Sequence, residues 1–262
     1  DMAAFQVAPA QVAAVADVKP HVSQIEFDQV SFGYQQSRPI LDHVSFTVPD
    51  GQWLGIIGAT GAGKSTLINL LTRRFDDYQG TIKIGGVDIQ QMALSTVHAA
   101  VAVALQDSLL FSGTVRSNLT YGRPDATDAE LADATAIADA QPFIAQLPAK
   151  YDAPVEQAGK NFSGGQRQRL NLARAIVPAT DILVLDDATS AAIKSRLREQ
   201  RADKTTLIIS QRVTNVIDCD QILVLNNGRL EAIGTHAELM QQSPFYRQLV
   251  TTQLGGAADA NA

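Results

Sequence analysis

The stretch Gly58-Ala59-Thr60-Gly61-Ala62-Gly63-Lys64-Ser65-Thr66 limits what this chain can fold into more than any other. The apolar run Trp53-Leu54-Gly55-Ile56-Ile57 before it is of strand type, and Thr66 to Arg74 after it has the spacing of a buried helix face. Strand, glycine-rich loop and helix in that order predict a phosphate-binding loop. Glycines let backbone N–H groups converge on an anion, and the new helix adds the positive end of its dipole. Lys64 is placed to reach terminal phosphates and Ser65 to ligate Mg²⁺. Residues 58 to 66 are therefore the expected nucleotide cradle.

Patterning elsewhere predicts an α/β fold around that loop. Ile25 to Phe32 and Val44 to Val48 alternate as half-buried strands, and Gly80 to Ile89 has the short strands and glycine turn of a hairpin. Together they predict an antiparallel β subdomain. Ala100 to Leu105, Ile182 to Leu185, Thr206 to Ile209 and Ile222 to Leu225 are continuous apolar runs, which predict buried, mostly parallel strands joined by crossovers. A helical insertion is expected over about 115 to 175, with Asp128 capping the helix Ala129 to Ala140. Residues 1–22 read as a linker, 23–254 as the folded domain and 255–262 as a disordered tail.

Composition excludes several classes. With 262 residues, 45% of them hydrophobic, the chain can bury an ample core. A net charge of −6 and the lack of a Lys/Arg stripe argue against nucleic acid as a main partner. The single cysteine, Cys219, cannot form an internal disulfide and reads as core filler beside a strand. The absence of an apolar run near 20 residues and of a basic N-terminal start predicts a soluble, intracellular fragment.

Two further constellations concern anions and metal. The strand Ile182 to Leu185 ends in Asp186, a natural partner for Mg²⁺ beside Ser65, because that ion takes few carboxylates plus phosphate oxygens. Ser163-Gly164-Gly165-Gln166 opens a helix running through Leu170, Leu172 and Ile176, and again presents bare N–H groups to an anion.

These motifs, in this order, resemble the nucleotide-binding domain of an ATP-binding cassette (ABC) transporter, specifically an exporter of multidrug or lipid type. The resemblance runs from about Ile25 to Leu254. Phe162-Ser163-Gly164-Gly165-Gln166 resembles the family's signature motif, with Phe162 where Leu is commonest. Tyr34 stands where the family stacks an aromatic ring on adenine, and Gln106 where a glutamine links metal and membrane-coupling surface. Leu109 to Arg116 and Val155 to Gly159 are similar to segments that contact membrane helices. The resemblance implies ATP and Mg²⁺ as ligands and a preceding transmembrane domain. It also implies a head-to-tail pairing with a second nucleotide-binding domain, at the cytoplasmic face of the membrane. Each ATP would lie between one domain's phosphate loop and the other's signature helix.

The chain departs from the family pattern at its catalytic positions. Asp187 stands where a glutamate polarises the attacking water; a carboxylate about 1 Å short of its target can cost on the order of 100-fold in rate. Gln211 stands where a switch histidine contacts the γ-phosphate, and a neutral amide cannot change charge near neutral pH. The signature is intact. The resemblance thus implies one half of a heterodimeric exporter, with an impaired site of its own and an intact signature lent to its partner. The other readings are a regulatory ATP-binding module and a soluble ABC-type ATPase. By the same comparison several residues, one an aspartate that crosses the dimer interface, would be expected between Ala191 and Ala192.

Overall fold

Alternating apolar residues build the N-terminal strands β1 (Ile25–Phe32) and β2 (Leu41–Val48), and a continuous apolar run builds β3 (Trp53–Ile57), which leads into α1 (Lys64–Leu71). There follow β4 (Gln79–Ile84), β5 (Val87–Asp88), α2 (Leu94–Ala100) and β6 (Val101–Ala104). A stretch dominated by helices comes next: β7 (Gly113–Thr114), α3 (Val115–Leu119), α4 (Asp128–Ile137), α5 (Gln141–Gln146), β8 (Pro154–Val155) and α6 (Gly164–Ile176). The chain closes with β9 (Ile182–Asp186), α7 (Ala191–Gln200), β10 (Thr205–Ser210), α8 (Val213–Val216), β11 (Gln221–Asn226), β12 (Arg229–Gly234), α9 (His236–Gln242) and α10 (Pro244–Leu254). The computed structural model describes residues 23–35, 39–105, 109–186 and 190–254. Residues 1–22 and 255–262, read from sequence as linker and tail, lie outside the described residues, as do Gln106 and Asp187.

A six-stranded sheet, ordered β12-β11-β3-β10-β9-β6, is parallel except for β12, which runs antiparallel to β11. A four-stranded antiparallel sheet, β2-β1-β4-β5, covers part of one face. Both components match the sequence expectation. Period-two alternation sorts the central strands between two cores. Trp53, Ile57, Leu183, Leu185, Ile208, Ile222 and Val224 share one core with the helices α3 to α10, whereas Leu54, Ile56, Val184, Leu207, Ile209, Leu223 and Leu225 share the other with the antiparallel sheet, α1 and α2. Burial on both faces is why these strands read as unbroken apolar runs.

Three local expectations change. Thr127, not Asp128, caps α4: it accepts from Glu130 N while the Glu130 carboxylate reaches back to Thr127 N at 2.8 Å. That reciprocal pair satisfies two orphan donors at once, which a lone aspartate does not, and Asp128 instead pairs with Arg116. Ala100 belongs to α2, and β6 is half-buried along most of its length because, among the described residues, it is an edge strand that pairs with β9 alone. The ladder β7–β8 pairs Gly113 with Val155 and Thr114 with Pro154, and two-residue strands leave no periodicity to read.

Ser190 caps α7 directly, its hydroxyl accepting from Ile193 N at 3.3 Å, and Ile193 and Leu197 are buried. Arg198 lies over the Trp53 ring at 4.7 Å.

Cys219 is buried against Gly55 of β3, and burial pushes its thiol up to about 12. The thiolate is the reactive species, so alkylation of the native chain at pH 8 should be on the order of a thousandfold slower than in the unfolded chain. A mass-spectrometric time course with iodoacetamide reads this directly; native labelling within tenfold of the unfolded rate contradicts the buried placement.

Candidate functional site

Parallel pairing brings the candidate residues to one edge. In register, Ser210 lies opposite Ile57 and Ile209 opposite Asp186. The phosphate loop leaves β3 at Gly58, the acid ends β9, and Gln211 follows β10, so all three emerge at the carboxyl end of the sheet, where ligands bind in open α/β folds.

The loop is held closely. Gly63 precedes α1 with φ 106°, a left-handed conformation that a side chain resists. A Cβ on Gly58 would fall 2.2 Å from the Leu225 carbonyl oxygen, so β11 presses directly on the loop backbone. The turn after β11 adds a hydrogen bond from Gly228 N to Ala62 O at 3.1 Å. Lys64 is buried, and its Nζ donates to Gly58 O at 2.7 Å and Ala59 O at 3.0 Å, holding the cation within the loop.

A cleft of about 370 Å³ opens there, lined by Tyr34, Thr60, Gly61, Lys64, Ser65, Thr66, Asp186 and Gln211. Thr60 Oγ1 donates to Gln211 Oε1 at 3.1 Å, which ties the loop to the end of β10. Tyr34 stands 53% exposed at the rim, edge-on to Phe32 and Phe75, with its hydroxyl 3.3 Å from Thr66 Oγ1. The exposed Ser65 and the half-buried Asp186 share this wall. Two oxygen donors beside a phosphate loop fit Mg²⁺, which keeps several waters and takes phosphate oxygens for the rest. Gln106 and Asp187, assigned from sequence to metal and to catalysis, lie outside the described residues.

The second constellation does not join this cleft: none of residues 162–166 lines it. Ser163 caps α6, accepting from Gln166 N, while Gln166 Oε1 accepts from Ser163 N at 2.9 Å. Phe162 is buried against Phe143, so its side chain anchors the helix start and is not offered to a ligand. Asn161, which the sequence reading did not single out, staples the preceding loop: it donates to Pro154 O at 2.9 Å and accepts from Glu156 N at 3.0 Å. No local pattern announces such long-range side-chain bonds.

A glycine-rich loop opening a helix, an acid at the end of a second parallel strand and an antiparallel flank define a P-loop nucleotide-binding domain. The family model described as "ABC transporter" matches residues 41–190. The chain is 41% identical over 234 residues to a "Multidrug efflux ATP-binding/permease protein" of Mycobacterium bovis, covering 87% of this chain and 20% of that protein. It is 38% identical to an "ATP-dependent lipid A-core flippase" of Saccharophagus degradans, covering 88% of this chain and 40% of the other. A solved structure of a bacterial Atm1-family ABC exporter with ATP bound superposes with a TM-score of 0.89 at 37% identity, over 93% of this chain and 44% of that one. The chain belongs to the ABC transporter family and has its ATPase fold. It spans about a fifth to two fifths of the length of the curated relatives it matches.

Gly58→Ala would drive a methyl group into a backbone oxygen that cannot move without dragging β11. Urea unfolding should show a loss of more than about 2 kcal/mol; a wild-type midpoint contradicts the close approach.

Proposed function

We propose that this chain is the ATP-binding domain of an exporter. It binds Mg-ATP in the Gly58–Thr66 cradle and pairs head-to-tail with a second, non-identical nucleotide-binding domain at the cytoplasmic face of a membrane. Residues 1–22 would lead from a transmembrane domain. The observation that carries the reading is one cleft in which Lys64, Ser65, Asp186 and Gln211 meet. Lys64 and the loop N–H groups hold the phosphates, Ser65 and Asp186 (with Gln106) hold Mg²⁺, and Tyr34 supports the base. When bound, the metal neutralises charge developing on the transferred phosphoryl group.

Turnover at this chain's own site is proposed to be slow. Asp187 is a short general base, and Gln211 offers only a neutral amide, already accepting from Thr60. The signature, in contrast, would complete the partner's site. Support comes from the glycines themselves: a Cβ on Gly165 would meet nothing within 4 Å, and one on Gly164 only Arg167 at 3.9 Å. Gly164 and Gly165 open α6, and this chain's own packing gives no reason to leave either without a side chain. A phosphate approaching from outside does.

Exposed apolar side chains support a membrane-domain partner. Among the described residues, Leu94, Leu105, Leu109, Phe111 and Tyr121 are exposed. Phe111 stacks on Tyr121 at 4.7 Å, and Arg174 lies 5.4 Å from the Phe111 ring, where burial lowers the guanidinium pKa. Leu94 and Leu105 line a groove of about 670 Å³ that also reaches Ser65 and Asp186, so an element seated there would sense the metal ligands. No helix among the described residues is long and apolar enough to cross a membrane itself.

The purified chain should bind Mg-ATP in calorimetry, lose it in Lys64→Ala, and hydrolyse it slowly. Adding the partner should restore turnover, and Asp187→Glu with Gln211→His should raise the chain's own rate by at least about tenfold. Rapid turnover by the chain alone, abolished in Asp187→Asn, overturns the impaired site. Turnover indifferent to partner and membrane favours a regulatory or soluble module.

Gly165→Ala separates the two sites. It should leave folding stability equal or higher by up to about 1 kcal/mol and leave the chain's own ATP affinity unchanged, while steady-state ATPase of the assembled pair falls. Unchanged ATPase of the pair removes the signature from the partner's site.

A further inference from the structure

Gln253, one residue from the end of α10, grips the loop after β10 by its backbone. Its Nε2 donates to Gln211 O at 2.8 Å, and its Oε1 accepts from Val213 N at 2.8 Å. One primary amide thus satisfies an acceptor and a donor two residues apart, much as a neighbouring strand would. The inner side of the same loop is held by Ser210, whose Oγ accepts from Arg212 N at 2.9 Å and Asn215 Nδ2 at 3.0 Å. Gln211 and Arg212 are exposed, and an exposed loop without such bonds samples several backbone wells.

The grip comes from a firm platform. Tyr246 of α10 is fully buried and shares a 2.9 Å hydrogen bond with His236, the first residue of α9. Tyr246, with Phe245, Leu249 and Val250 packed on the same core, thus anchors α10 through contacts separate from those of Gln253. What Gln253 fixes lies at the other end of a short path: the Gln211 backbone carries the side chain whose Oε1 accepts from Thr60 in the phosphate loop.

We propose that Gln253 is a positioning residue for recognition of the nucleotide's terminal phosphate. It acts through Gln211, holding that amide over the phosphate loop, and does not touch ATP. The proposal rests on the ATP-binding reading above. It makes the C-terminal helix part of the site's machinery, so a ligand or partner that lifted α10 would loosen the grip on the third phosphate and leave the rest of the cradle in place.

Because Gln211 bonds to Thr60 and lines the cleft with Lys64, the residue that reaches terminal phosphates, the discriminating measurement is the ratio of ATP to ADP affinity. In Gln253→Ala of the 262-residue chain, hydrogen exchange at Val213 N–H should quicken by about fivefold, the loss of one ordinary hydrogen bond, while β10 amides keep their protection. ATP affinity should fall about threefold to tenfold with ADP affinity unchanged. Gln253→Glu keeps the acceptor for Val213 and sets a carboxylate against the Gln211 carbonyl. Val213 exchange should then stay near wild type while the ATP-to-ADP ratio falls as in Gln253→Ala. Unchanged Val213 exchange in Gln253→Ala overturns the grip. Equal weakening of both nucleotides, or an unchanged ratio, overturns the positioning role and leaves a structural contact. A wild-type chain that binds neither nucleotide overturns the ATP-binding reading itself, and is distinguished from the other failures because no variant is needed to see it.

Discussion

Hydrogen bonding between β3, β10 and β9 sets Ser210 opposite Ile57 and Ile209 opposite Asp186, and the geometry of the site follows from that register. A slip of one residue would exchange the two faces of a strand. Both faces are apolar here, so hydrophobic pattern alone pins the register weakly. Polar groups at the opposite, amino-terminal edge supply the missing constraint. Thr205 Oγ1 lies 2.8 Å from Ser23 Oγ and accepts from Gly51 N at 3.1 Å, while Asp220 accepts from Trp53 N at 2.7 Å. Chemistry gathers at one end of the sheet, and the contacts that align its strands gather at the other.

The loop is shaped by the rest of the fold as much as by its own sequence. Leu225 presses on Gly58, Gly228 bonds to Ala62, and Thr60 reaches Gln211. Two segments far from it in the chain, the end of β11 with its turn and the loop after β10, therefore set the position of one short loop. A change at either would be felt in the loop without touching it. Lys64 is already drawn onto the Gly58 and Ala59 carbonyls, so phosphate oxygens entering the loop would meet a cation whose position is fixed in advance.

What could be read from the sequence was what depends on neighbours in the chain. The glycine loop between strand and helix, the acid ending β9 and the Ser-Gly-Gly helix start are all local, and each stands where its pattern placed it. The central strands were legible because burial on both faces leaves an unbroken apolar run. Thr127 was missed beside the more obvious Asp128 because a capping box is decided by reciprocal geometry with Glu130. The β7–β8 ladder is too short for any period. Asn161 and Gln253 carry no local signal, since their partners become neighbours only after folding.

The glycines divide into two kinds, and the division bears on what the chain can do alone. At Gly58 and Gly63 a side chain is refused by this chain's own atoms, Leu225 O at 2.2 Å and Leu41 Cδ2 at 2.7 Å. Those glycines are demanded by the fold. At Gly164 and Gly165, the first two residues of α6, nothing within the chain comes close enough to refuse one. The glycines at the start of α6 are set by no such contact, which leaves that helix start open to approach from outside.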